Sequence, residues 1–169
     1  MTNVIDEFKG LTVEEIKTKL KERARPFSIL MESWQGDFNI GTCIRNANAF
    51  CAREVFYIGK KRYDKRGAVG VYNYTDVKYL SSFDDLLKLK DIYTFVGVDN
   101  IVDSIPVEDY SWSRMSLLIF GEEGCGLTPE MIQVCDAMVK ISQWGSVRSL
   151  NAGTASGIIM YDFVNKIKS

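Results

Sequence analysis

Five short apolar runs constrain this chain more than anything else in it: Phe27-Ser28-Ile29-Leu30-Met31, Val55-Phe56-Tyr57-Ile58, Ile92-Tyr93-Thr94-Phe95-Val96-Gly97-Val98, Ser116-Leu117-Leu118-Ile119-Phe120 and Ala137-Met138-Val139-Lys140-Ile141. Each has the length of a strand and is nearly continuous in apolar character, as expected where helices cover both faces of a parallel sheet. Helical spacing fills the gaps between them. Ile40, Cys43, Ile44, Ala47, Phe50 and Cys51 form one stripe, and Phe83-Asp84-Asp85-Leu86-Leu87 opens another helix. Strands alternating with helices specify an α/β fold. At 169 residues and 46% hydrophobic content the chain fits one compact domain. A short helical extension, residues 1–25, precedes the main domain, residues 26–169. In the extension Thr12 is a candidate N-cap with acidic residues after it, Ile16 and Leu20 lie one turn apart, and Pro26 closes the segment. Val69-Gly70-Val71-Tyr72-Asn73-Tyr74 reads either as a short strand or as a substrate loop.

The residue inventory removes several kinds of chemistry. The chain has no histidine, which excludes His-based triads, His-ligated zinc and the usual general base near neutral pH, and no metal site is expected. Cys43, Cys51, Cys125 and Cys135 form no CxxC pair; Cys43 and Cys51 are expected on one helix, and buried free thiols explain the set. The start has neither a basic leader nor a long apolar run, and no segment is long enough to span a bilayer, so the chain reads as soluble and cytoplasmic. A net charge of −1 argues against nonspecific nucleic-acid binding by the whole surface. Two local basic runs remain, Lys17 to Arg25 and Lys60 to Arg66. In the second, Arg62, Tyr63, Lys65 and Arg66 combine charge with an aromatic ring, a composition suited to RNA; a solvated loop is the bland alternative.

Three polar or glycine-rich blocks fall where a strand hands over to a helix, the edge at which open α/β sheets hold ligands. They are Asn39-Ile40-Gly41 with Arg45-Asn46-Ala47, Phe120 to Leu127, and Ser149-Leu150-Asn151-Ala152-Gly153. In the middle block Phe120 ends a strand, Thr128 caps a helix, Pro129 suits its first position and Glu130 its positive end. The block lacks the GK[ST] of a phosphate loop and the spacing of GxGxxG, while Glu122 and Glu123 would repel a polyphosphate. A neutral or cationic ligand fits better, and an adenosyl sulfonium meets that requirement. Taken alone, the block is better read as a tight turn with a helix cap, because short glycine motifs recur by chance.

Together the three blocks resemble the SpoU/TrmH family of SPOUT RNA methyltransferases. Asn39, Gly41, Arg45 and Ala47 match its first motif, Gly121, Glu123, Gly126 and Leu127 its second, and Ile141 with Ser149-Leu150-Asn151 its third. The resemblance implies a trefoil-knotted α/β domain with a mainly parallel sheet flanked by helices. It also implies S-adenosyl-L-methionine as cofactor, methyl transfer to a ribose 2′-hydroxyl of RNA, and a homodimer with its active site at the subunit interface. Carried over by position, Arg45 is the catalytic residue, and Asn39, Glu123, Ser149 and Asn151 orient Arg45, the ribose or the cofactor. Gly121, Ile141 and Leu150 contact the cofactor through backbone groups, with Val96 and Gly97 bordering the pocket. The third motif departs from the usual Ile-Pro-Met by reading Ile141-Ser142-Gln143. The small size resembles members acting on tRNA, with rRNA as the other substrate. A noncatalytic RNA-binding protein of the same fold and a nicotinamide-dependent oxidoreductase are the readings from other classes; the latter lacks its GxGxxG.

Overall fold

A computed structural model describes residues 4–33, 39–122 and 124–167. Its centre is a seven-stranded sheet built from β1 (Phe27–Ser33), β2 (Val55–Gly59), β3 (Val77–Leu80), β4 (Thr94–Val98), β5 (Ile105–Pro106), β6 (Ser116–Phe120) and β7 (Ala137–Lys140). The spatial order is β3-β2-β1-β6-β4-β7-β5, and every pairing is parallel. All strands therefore end on one edge of the sheet.

Alternate residues of each strand face opposite layers, as the two-residue pleat requires. On one face Phe27, Ile29, Met31, Val96, Leu118 and Phe120 pack under α2 (Asn39–Ala49) and α5 (Ala152–Lys166). On the other, Leu30, Phe95, Leu117 and Ile119 meet Leu86 of α3 (Phe83–Leu87) and Met131 of α4 (Pro129–Val134). Phe163, fully buried, lies between Phe27 and Trp112, with ring centroids 4.8 and 5.4 Å away. The indole N–H of Trp112 donates to Asp162 at 2.7 Å.

Helices α2 and α5 approach closely because their facing residues are small. A Cβ on Gly153 would sit 2.7 Å from Thr42 Cγ2, and Asn46 Nδ2 donates to Gly153 O at 2.8 Å and to Ser156 Oγ at 2.9 Å. The extension holds α1 (Val13–Glu22), opened by a capping box between Thr12 and Glu15. It rests on the body through a separate cluster of Phe8, Ile16 and Tyr74. No helix among the described residues is long and apolar enough to cross a membrane.

Several expectations change at element ends. Cys51 falls just beyond α2, in a left-handed conformation with φ of 57°, so it does not share the helix with Cys43. Cys125 is exposed, unlike the buried thiol expected there; only Cys43 of the four is fully buried. The run beginning at Ile92 becomes a strand only at Thr94, because Ile92 closes a 3-10 turn and is exposed. Residues 69–74 form neither strand nor open loop: left-handed Val69 and Gly70 separate two 3-10 turns, Arg66–Ala68 and Val71–Asn73.

Replacing Phe163 by alanine removes the ring that joins α5 to β1 and Trp112. The expected loss is about 3–5 kcal/mol in chemical denaturation, and a loss under about 1 kcal/mol would show that α5 does not depend on this contact.

Candidate functional site

Sheet register builds the site. Met31 and Val98 both pair with Phe120, and Val98 also pairs with Val139, so the next residues, Glu32, Gly121, Asp99 and Lys140, emerge side by side. Two of these carboxylates grip the segment after β6. Asp99 accepts hydrogen bonds from the backbone N–H groups of Leu127 at 2.8 Å and Asn100 at 2.7 Å. Glu32, 2% exposed, accepts from Thr128 N at 2.9 Å and from Thr128 Oγ1 at 2.6 Å. Thr128 in turn caps α4, with Pro129 at its first turn.

Between these anchors the chain folds back on itself: Glu122 and Gly126 exchange backbone hydrogen bonds of 3.2 and 2.9 Å. Gly126 is left-handed, with φ of 72°, and its open α-carbon face lies against the Asp99 carboxylate. Gly121 lies flush on the backbone of Gly126 and Leu127, where any Cβ would collide. Both positions therefore need glycine for backbone geometry and close approach.

A cavity of about 450 Å³ opens beside this fold-back, at the ends of β4, β6 and β7. Of the residues the sequence singles out, Gly121, Ile141, Ser149 and Leu150 line it. Val96 and Gly97 do not; they are buried one step back, with Gly97 against Met138 and Cys135, while Val98 and Asp99 form the wall. Burial pushes the Cys135 thiol up to about 12, which keeps it protonated and unreactive.

Motifs one and three meet directly. Asn151 Nδ2 donates to Asn39 Oδ1 at 2.9 Å, and Asn151 Oδ1 caps α5 by accepting from Thr154 N. Asn39 and Gly121 also border one narrow crevice with Glu122 and Ala152. Arg45 is not brought to this group. It sits six residues along α2 from Asn39, a rise of about 9 Å, is exposed, and lines a different cavity with Arg25 and Arg114. Glu123 lies outside the described residues.

The basic loop after β2 shares the site's edge but is partly committed. Tyr63 packs edge-on against Tyr57 at 5.3 Å, Lys65 lies over the Tyr72 ring at 5.0 Å, and Arg66 forks onto Asp64. That pairing holds the Asp64 carboxyl below its usual range. Arg62 is exposed and has no carboxylate within 4 Å among the described residues. The N-terminal basic run lies on α1, ahead of the strand starts and therefore toward the opposite edge.

Sequence reasoning missed Asp99, Glu32 and Gln143. The available signal was a carboxylate directly after a strand in the first two. Gln143 lines the cavity, and its Oε1 is a buried acceptor with no hydrogen-bond partner among the described residues.

A parallel α/β sheet with a glycine-walled cavity at its strand ends defines a class of ligand-binding domains, many of them nucleotide-dependent enzymes. Comparison with known proteins narrows the class. The chain is 28% identical over 166 residues to the 23S rRNA (guanosine-2′-O-)-methyltransferase RlmB of Coxiella burnetii, covering 93% of this chain and 66% of that enzyme. It is 21% identical over 156 residues to the tRNA (guanosine(18)-2′-O)-methyltransferase of Aquifex aeolicus, covering 89% of this chain and 74% of that one. In structure it resembles the SpoU methyltransferase AviRb from Streptomyces viridochromogenes in complex with the cofactor AdoMet. That likeness has a TM-score of 0.76 at 27% identity, over 84% of this chain and 58% of the other. The model of the SpoU rRNA methylase family matches residues 26–161, and the chain belongs to that family.

The Asp99 clasp yields a direct test. Asp99→Ala should cost about 2 kcal/mol, the worth of charge-assisted hydrogen bonds to backbone N–H, and hydrogen exchange at the Leu127 amide should accelerate. Unchanged protection at Leu127 would mean that the loop holds its shape without Asp99.

Proposed function

We propose that this protein transfers a methyl group from S-adenosyl-L-methionine to a ribose 2′-hydroxyl of RNA. The observation that carries the reading is a strand-end cavity walled by Gly121 of the second block and Ile141, Ser149 and Leu150 of the third, with Asn39 of the first block bonded to Asn151 beside it. Family membership and the RNA 2′-O-methyltransferases similar to it support the same chemistry. The wall also suits the cofactor. Its volume of about 450 Å³ lies within the range of small-molecule sites. Gln143 Oε1 offers an unpaired acceptor for an adenine N–H, and the carboxylates of Asp99 and Glu122 favour a cationic ligand over a polyphosphate.

When bound, S-adenosylmethionine supplies an electrophilic methyl on a positively charged sulfur. The protein's part is placement: Gly121, Ile141 and Leu150 hold the adenosyl part through backbone groups, while Asn39, Ser149 and Asn151 orient the ribose, with Glu123 assigned the same role by motif position. In-line alignment of hydroxyl and methyl then supplies much of the rate. Arg45 grips the phosphate beside the target ribose. A guanidinium keeps its proton near neutral pH and cannot serve as the base, so a phosphate oxygen or a positioned water takes the hydroxyl proton instead.

Arg45 faces away from its own cavity, so a second copy must supply it. A homodimer also accounts for the partly open apolar face of α5, where Ile158 and Tyr161 are 39% and 62% exposed while Ile159, Met160 and Phe163 fill the protomer's own core. The chain threading implied by the family belongs to this reading, as does a cytoplasmic location. Transfer RNA is the leading substrate, in line with the similarity to the Aquifex enzyme; similarity to the Coxiella enzyme favours ribosomal RNA as the second.

Purified protein, labelled S-adenosylmethionine and unmodified tRNA and rRNA transcripts should yield a 2′-O-methylated nucleoside on nuclease digestion and mass spectrometry. Methylated bases, or no incorporation into either RNA, would contradict the assignment. Arg45→Ala should keep cofactor binding and lose at least about a hundredfold in transfer. Full activity of that variant, or of a monomer in sedimentation, would remove the subunit-shared site.

A further inference from the structure

Loops 99–104 and 141–151 frame the cavity mouth and are tied together by a hydrogen bond from Asn100 Nδ2 to Arg148 O at 3.3 Å. These loops carry an unusual apolar rim: Val102 is 93% exposed, Trp144 91% and Val147 61%. Tryptophan is ordinarily well covered, and exposed apolar groups collected at a ligand cavity mark a contact surface. Among the described residues no ring or hydrogen-bond partner engages Trp144, in contrast to Trp112, which is buried and hydrogen-bonded to Asp162. Next to it Gly145 faces open space, so the loop leaves room on one side.

The same loop supplies charge. Arg148 is exposed, lines the cavity and has no carboxylate within 4 Å among the described residues. An exposed aromatic ring one residue after cavity-lining Gln143 and four before cavity-lining Arg148, on the same loop, is the equipment for an unstacked nucleotide. The ring takes the base by its face and the cation takes the phosphate. The basic loop at Arg62 to Arg66 cannot provide the ring, because Tyr63 is packed on Tyr57.

We propose that Trp144 is a stacking platform for a base of the RNA strand presented for methylation, with Arg148 holding the adjoining phosphate. This rests on the RNA reading above and adds to it a way of holding substrate that tolerates different bases. Stacking on a π-face needs no base-specific hydrogen bond.

The test uses the full chain, a short single-stranded RNA and an abasic sugar-phosphate oligomer of equal length. Trp144→Ala should weaken RNA binding about tenfold and leave both the abasic oligomer's affinity and the salt slope unchanged. Trp144→Phe should recover most of the loss. Arg148→Gln should weaken both ligands and lower the log-log salt slope by about one. As Trp144 is exposed, its alanine variant should melt as the parent does. Parental RNA affinity in Trp144→Ala, an equal loss for RNA and abasic oligomer, or a smaller sedimenting species would overturn the proposal, the last by making Trp144 a subunit contact. A parent that binds S-adenosylmethionine and methylates RNA while Trp144→Ala matches it defeats only the platform; a parent that binds no RNA defeats the functional reading as well.

Discussion

Two carboxylates at the ends of the strands that flank β6 hold the site together. Asp99 and Glu32 fix the start of α4 and the glycine fold-back before it by accepting hydrogen bonds from Leu127 and Thr128. Charge-assisted bonds to backbone N–H are stronger than neutral ones and lose more when broken in a partly buried place. With the fold-back fixed, Gly121 lies flush with the backbone of Gly126, and the cavity has a wall of main chain rather than side chains. The all-parallel sheet makes this arrangement possible, since only parallel strands bring Glu32, Gly121 and Asp99 out at one edge and in step.

The same constraint explains why the motif residues divide as they do. Asn39 opens α2 and Asn151 opens α5, so both helices begin at the site, and the bond between the two asparagines sets their start points relative to each other. Close packing of Gly153 on Thr42 continues that alignment down the helix pair. Arg45, farther along α2, is carried away from the cavity by the helix that places Asn39 beside it. One protomer therefore presents the strand-end cavity on one surface and Arg45 of the first motif on another, which is why the proposed mechanism calls on a second subunit.

Much of this was legible in the sequence because it depends on local patterning. The apolar runs at Phe27, Val55 and Ser116 became strands, and Thr128-Pro129-Glu130 announced α4 by capping chemistry. Strands β3 and β5 were not legible: Val77–Leu80 is an edge strand that alternates with exposed Lys78, and Ile105–Pro106 is only two residues long. The clasp by Asp99 was also hidden, because its partner Leu127 is 28 residues away and the contact exists only through sheet register. Nor could spacing place Val96 and Gly97, which turn out to lie one residue pair short of the cavity wall. The ring of Tyr63 looked available in sequence and is spent on Tyr57, whereas Trp144 attracted no notice and stands in the open.

The central claim is that the strand-end cavity is an adenosyl sulfonium site. Calorimetric titration of the purified protein with S-adenosylmethionine tests it most directly. The account predicts saturable binding of one molecule per chain, displaced by the demethylated product and unaffected by NAD. Absence of binding by S-adenosylmethionine, or binding of NAD in its place, would contradict it.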